Sequence, residues 1–163
     1  MTSVAVPTRD DMHALGRRLA AVLRAGDLVV LSGGLGAGKT TLTQGIGEGL
    51  GARGAITSPT FVIARVHPST TGGPALVHVD AYRLGSLDEV DDLDLDASLD
   101  ASVTVVEWGE DKVEELSEDR LSVVIERPVG GVVVDDGDEP RTVSLVGVGP
   151  RWSDVDLAAV VGR

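Results

Sequence analysis

Gly33-Gly34-Leu35-Gly36-Ala37-Gly38-Lys39-Thr40 matches the pattern G-x-x-x-x-G-K-[ST] in full. In such a loop the glycines let the backbone curl so that several N–H groups point inward at phosphate oxygens. Lys39 can reach the β- and γ-phosphates, and the Thr40 hydroxyl is placed to ligate Mg²⁺. A helix starting near Lys39 adds the partial positive charge of its N-terminus. The phosphate-binding set is therefore Gly33, Leu35, Gly36, Ala37, Gly38, Lys39 and Thr40, with Thr41 following in the same turn.

A phosphate loop of this kind works with a carboxylate on Mg²⁺ and a group that positions water. Ala75-Leu-Val-His-Val-Asp80 is an apolar run ending in an acid, the form of a Walker B strand. Val103-Thr-Val-Val-Glu107-Trp108 delivers a second carboxylate and an aromatic in the same way. Ligands of open α/β sheets sit beyond the carboxyl ends of the strands. Asp80 and Glu107 are thus expected at the phosphates, as metal ligands or in catalysis with Lys39. Thr57-Ser58-Pro59-Thr60 is a hydroxyl-rich turn placed like a switch loop, which brings Thr60 to the nucleotide. The three histidines, His13, His67 and His78, show no metal-ligand spacing, and without any cysteine there is no thiol chemistry.

The elements that hold these residues can be read from pattern. Thr8 before Arg9-Asp10-Asp11 is a helix N-cap with acids in the first turn. Met12, Leu15, Leu19 and Val22-Leu23 continue at helical spacing until Gly26 stops the helix. Leu28 to Leu31 is a buried strand feeding the loop, and Thr40 to Leu50 a helix leaving it. Gly45, Gly47 and Gly49 interrupt that helix at up to about 1 kcal/mol each, so tertiary packing must hold it. Phe61 to Val66, Ala75 to Val79, Val103 to Val106, Leu121 to Ile125 and Thr142 to Val146 are expected strands. Short helices are expected after Ser86 and over Lys112 to Leu116, a hairpin around Asp135-Asp136-Gly137, and a last helix capped by Ser153. Strand-loop-helix at the start and a hairpin at the end predict an α/β fold: a P-loop domain with a mixed, largely parallel central sheet flanked by helices.

The 163 residues suit one domain, 1–163, with enough chain for one core. An apolar content of 42% excludes wholesale disorder. No basic, apolar leader opens the sequence and no run suits a membrane span, so a cytoplasmic location is expected. The net charge of −12 is local: residues 88–119 hold fourteen acids against one lysine, net −13, while residues 1–87 come to +3. Phosphate repels such a stretch, so it suits a solvated face or a docking face for a basic partner better than contact with nucleic acid. The sequence contains no asparagine, which excludes the Asn-Lys-x-Asp guanine reader. Adenine is the expected base.

Four segments, Leu35–Thr41, Thr57–Phe61, His78–Leu84 and Val106–Trp108, fall in the order and spacing of the tRNA threonylcarbamoyladenosine biosynthesis ATPases, the TsaE or YjeE family. The chain resembles that family from about Thr8 to Trp108. The resemblance implies a small Mg²⁺-dependent P-loop ATPase, slow alone, working with TsaB and TsaD type partners that modify tRNA position 37. It implies that tRNA is engaged indirectly, and that ATP use supports turnover of the partner complex. Lys39 and the loop amides then hold phosphates, Thr40 ligates Mg²⁺, Asp80 is the Walker B-like carboxylate, and Glu107 is the second metal-side or catalytic one. Trp108 lies near the nucleotide, and Thr57 to Thr60 form the switch-like turn. Gly34 departs from the Asp common in the family, and Arg141 corresponds to a basic residue of its last strands. The rival reading is a small-molecule kinase transferring the γ-phosphate. Its arginine-bearing lid has no counterpart in His67 to Pro74, which contains neither Arg nor Lys.

Overall fold

The computed structural model describes residues 2–33, 38–52, 64–80, 101–107, 119–126 and 141–162, with the backbone alone for Ala64, Arg65, Asp80 and Gly162. In chain order the elements are β1 (Thr2–Val6), α1 (Arg9–Ala20), β2 (Leu28–Gly33), α2 (Lys39–Leu50), β3 (Ala64–His67), β4 (Ala75–Asp80), β5 (Ser102–Glu107), β6 (Arg120–Glu126), β7 (Arg141–Val148), α3 (Pro150–Ser153) and α4 (Leu157–Gly162).

Unbroken apolar runs belong to strands covered on both faces. Leu28 to Leu31 of β2 is such a run and Val103 to Val106 of β5 is one but for Thr104, and they lie side by side in the middle of one seven-stranded sheet of order β1-β7-β6-β2-β5-β4-β3. The four central strands are parallel, with β2 between β6 and β5 and β5 against β4. Both flanks are antiparallel: β3 on β4, β7 on β6, and β1 on β7. The sheet is therefore mixed and parallel at its centre, as the sequence pattern predicts. The expected helices over Lys112 to Leu116 and after Ser86, the tip of the late hairpin, and Phe61 to Ile63 of the expected third strand lie outside the described residues.

The main cluster of buried apolar side chains sits on one face of the sheet. Val29 and Leu31 of β2, Val103 and Val105 of β5 and Leu76 of β4 pack there with Leu15 and Leu19 of α1 and Leu42 and Ile46 of α2. The glycines of α2 belong to this packing. A Cβ on Gly45 would fall on the His13 carbonyl oxygen, and one on Gly49 would lie 2.5 Å from Ala20 Cβ. A Cβ on Gly16 of α1 would be equally crowded, 2.7 Å from the Ile46 nitrogen. The two helices touch backbone to backbone, which only glycine permits.

Three local expectations are corrected. α1 ends at Ala20, six residues before Gly26, although Leu23 stays buried in the turn that follows. There the buried Asp27 accepts from the Arg24 N–H at 2.8 Å, and Arg151 donates to the Val22 carbonyl at 2.6 Å, so tertiary partners replace helix hydrogen bonds. Ser153 caps no helix: its hydroxyl donates to the Pro150 carbonyl at 2.8 Å, and Asp156 accepts from the Ala159 N–H at 3.2 Å. β1 is an added edge strand that the sequence reading did not include. Thr8 caps α1 as expected, accepting from the Asp11 N–H at 3.1 Å.

Candidate active site

β2 carries the chain to Gly33 at the carboxyl edge of the sheet, and α2 takes it back from Lys39. Between them Gly38 has φ +114°, a conformation that favours glycine. It is the N-cap of α2 but supplies no side-chain cap, and the first turn carries no acid. A helix N-terminus that opens on glycine with no side-chain cap, with the macrodipole behind it, suits anionic oxygens.

Lys39 stands at that helix start and is only 6% exposed. Its Nζ donates to the Gly33 carbonyl at 2.8 Å, so the ammonium ties the two ends of the phosphate loop together. The Thr43 hydroxyl donates back to the Lys39 carbonyl at 2.8 Å and steadies the first turn. Thr40 and Thr41 occupy the same turn, both half-buried. Leu35, Gly36 and Ala37 lie outside the described residues, as do Thr57 to Thr60 and Trp108.

Strand register brings the two acidic residues to the sheet edge where the loop begins. Asp80 ends β4 and Glu107 ends β5, and the two are paired neighbours in the sheet. Glu107 is also paired with Leu31, two residues before Gly33. One sheet edge thus gathers Gly33, Asp80 and Glu107, as expected for the C-terminal ends of parallel strands. Glu107 is buried, 4% exposed, and its Oε2 lies 2.7 Å from His78 Nε2. The sequence reading set His78 aside for lack of ligand spacing. The overlooked signal is its position in an apolar strand, one strand-period before Asp80.

Two arginines complete this end of the molecule. Arg9, Met12 and Arg141 surround a cavity of about 60 Å³ together with Gly38 and Thr41. Arg141 Cδ would be 3.8 Å from a Cβ on Gly38. A wider groove of about 710 Å³ lies between the α1–β2 turn and α4, with Arg18, Arg24 and Arg151 on its walls. It adjoins the start of β2, the wrong edge of the sheet for the loop chemistry, and Arg151 there is committed to Asp27 at 2.9 Å.

Among the described residues this edge carries hard oxygens, the Thr40 hydroxyl and the Glu107 carboxylate, and the backbone of Asp80 ends the strand beside Glu107. Such a set suits Mg²⁺, which takes one or two carboxylates and completes its shell with substrate phosphates and water.

The model of the threonylcarbamoyl adenosine biosynthesis protein TsaE family matches residues 6–130. The chain is 67% identical to a Streptomyces coelicolor protein named for that biosynthesis, over 93% of this chain and all of the relative. A Bacillus subtilis relative of the same name is 38% identical over 88% of this chain and 84% of its own length. The crystal structure of Bacillus subtilis YdiB superposes with a TM-score of 0.70 at 31% identity, covering 93% of this chain and 88% of that one.

Proposed function

We propose, for a chain that belongs to the TsaE family of threonylcarbamoyl adenosine biosynthesis proteins, the role of a Mg²⁺-dependent ATPase accessory to that tRNA modification. Membership of the family carries the part in tRNA threonylcarbamoyladenosine biosynthesis. The ATPase reading is carried by one observation above all: a buried lysine bracing a glycine loop at an uncapped helix N-terminus, on the sheet edge where two carboxylates end adjacent strands.

In this reading the α2 N–H groups and Lys39 hold the β- and γ-phosphates, whose charge the lysine offsets in a site largely screened from water. Arg9 and Arg141 lie beside Gly38 and Thr41 and add positive charge at the flank of the loop. Thr40, Asp80 and Glu107 are the oxygen donors for Mg²⁺, which when bound neutralises charge developing on the transferred phosphoryl group. Glu107 is also assigned to orienting the attacking water. Leu35 to Ala37, Thr60 and Trp108 are assigned to the nucleotide on the family resemblance. The partners are TsaB and TsaD type proteins in the cytoplasm, with tRNA engaged through them.

The test is reconstitution. Purified chain added to a TsaB–TsaD type complex should raise the number of threonylcarbamoyladenosine-bearing tRNAs made per complex, and the folded Lys39→Ala chain should not. Equal product with either chain would remove ATP use from the function.

A further inference from the structure

β4 is apolar apart from His78 and its terminal acid, and His78 is 0% exposed. A fully buried imidazole at that place calls for a partner. It has one: Nε2 meets Glu107 Oε2 at 2.7 Å, on the neighbouring strand and the same sheet face. A carboxylate only accepts, so Nε2 carries the proton. Nδ1 is buried and has no hydrogen-bond partner among the described residues. As the unprotonated nitrogen it leaves an acceptor unpaired, a more tolerable vacancy than an orphaned donor. The other Glu107 oxygen, Oε1, accepts no hydrogen bond from the described residues. His78 thus holds one oxygen of the Glu107 carboxylate.

Stability alone does not ask for this pair, since buried ionic or polar pairs are often no more stable than apolar residues of the same volume. Orientation does ask for it. A carboxylate on a free rotor samples several positions, whereas one anchored through a buried hydrogen bond keeps a single one. We infer that His78 is a positioning residue for Glu107, fixing one carboxylate oxygen so that the other serves Mg²⁺ or the attacking water; the inference rests on the hydrolytic reading of Glu107.

Three variants separate the possibilities. His78→Leu removes the donor and keeps an apolar filling, and kcat for ATP hydrolysis should fall by about 10–100-fold. KM for ATP should stay within about twofold, because ground-state binding is untouched. His78→Gln, whose amide nitrogen can reach the same oxygen, should recover most of the loss. Wild-type kcat in His78→Leu alongside a disabled Glu107→Ala overturns the inference and leaves the hydrolytic reading standing. Wild-type kcat in Glu107→Ala overturns both. A second measurement needs neither metal nor nucleotide: long-range proton–nitrogen NMR of the wild-type protein should find His78 protonated at Nε2, with that resonance displaced in Glu107→Ala. Protonation at Nδ1, or a resonance indifferent to Glu107, overturns the inference.

Discussion

Lys39 and Glu107 are both buried charge-bearing groups on one sheet edge, yet they are built for different work. Lys39 is a cation that already spans the loop to Gly33, so its loss removes a loop brace and, on the proposed ATPase role, the charge that would face the phosphates. Glu107 is an anion and cannot favour a polyanionic nucleotide by direct contact. Its variants should therefore part company. Lys39→Ala is expected to lower hydrolysis by roughly 10²–10³-fold or more, the scale for removing one preorganised charge-stabilising group, together with nucleotide affinity. Glu107→Ala is expected to lower kcat while ATP affinity changes little. Calorimetric titration beside steady-state kinetics checks the contrast, and equal loss of affinity and turnover in Glu107→Ala would make it a binding residue. The loop, Asp80 and Glu107 were legible because their types and spacing are tied to strand ends. The His78 contact was not, because it depends on the register of β4 against β5, which no local spacing encodes. Arg9 and Arg141 lie 132 positions apart and meet beside Gly38 only through the folding of the sheet.

The elements show where local pattern is sufficient and where it fails. β2, β4 and β5 were plain in the sequence because strands covered on both faces must be apolar throughout. β1 was hidden because Thr2–Val6 is an edge strand, half exposed and short, and its hydrogen bonds come from distant β7. The end of α1 was misjudged because Val22 and Leu23 keep helical spacing while Asp27 and Arg151 draw the backbone out of the helix. The glycines of α2 were read as a weakness that packing must offset. Gly45 and Gly49 are the contact itself. Gly45→Ala gains about 1 kcal/mol of helix propensity. It also drives a methyl group into the His13 carbonyl of α1, an overpacking cost of about 1–3 kcal/mol. Backbone cannot yield as a side chain does, so a net loss is expected. Urea denaturation should show a lower midpoint at unchanged slope. A rise in the midpoint would mean that the helices separate at little cost.

At the scale of the whole molecule the charge is divided. Residues 1–87, which hold the phosphate loop, are mildly basic, and residues 88–119 carry net −13. Much of that acidic stretch lies outside the described residues, so the expectation stands on charge and on chain connectivity: the stretch begins just after Asp80 and contains Glu107. Such a run of charge is suited to docking a basic face of a partner, with an association that weakens as salt rises. Replacing Asp91, Asp92, Asp94 and Asp96 by Ser should weaken capture of a TsaB–TsaD type complex and leave ATP binding intact. Undiminished association at every salt concentration would make the stretch a solvated face. The central claim is ATP hydrolysis at the edge formed by Gly33, Lys39, Asp80 and Glu107. Its most direct test is release of inorganic phosphate from ATP by the purified chain, with and without Mg²⁺ and with no second substrate present. Mg²⁺-dependent release, lost in Lys39→Ala and in Glu107→Ala, is the expected result. Release that requires an added acceptor and leaves the phosphate on it, or release unaffected by either substitution, would contradict it.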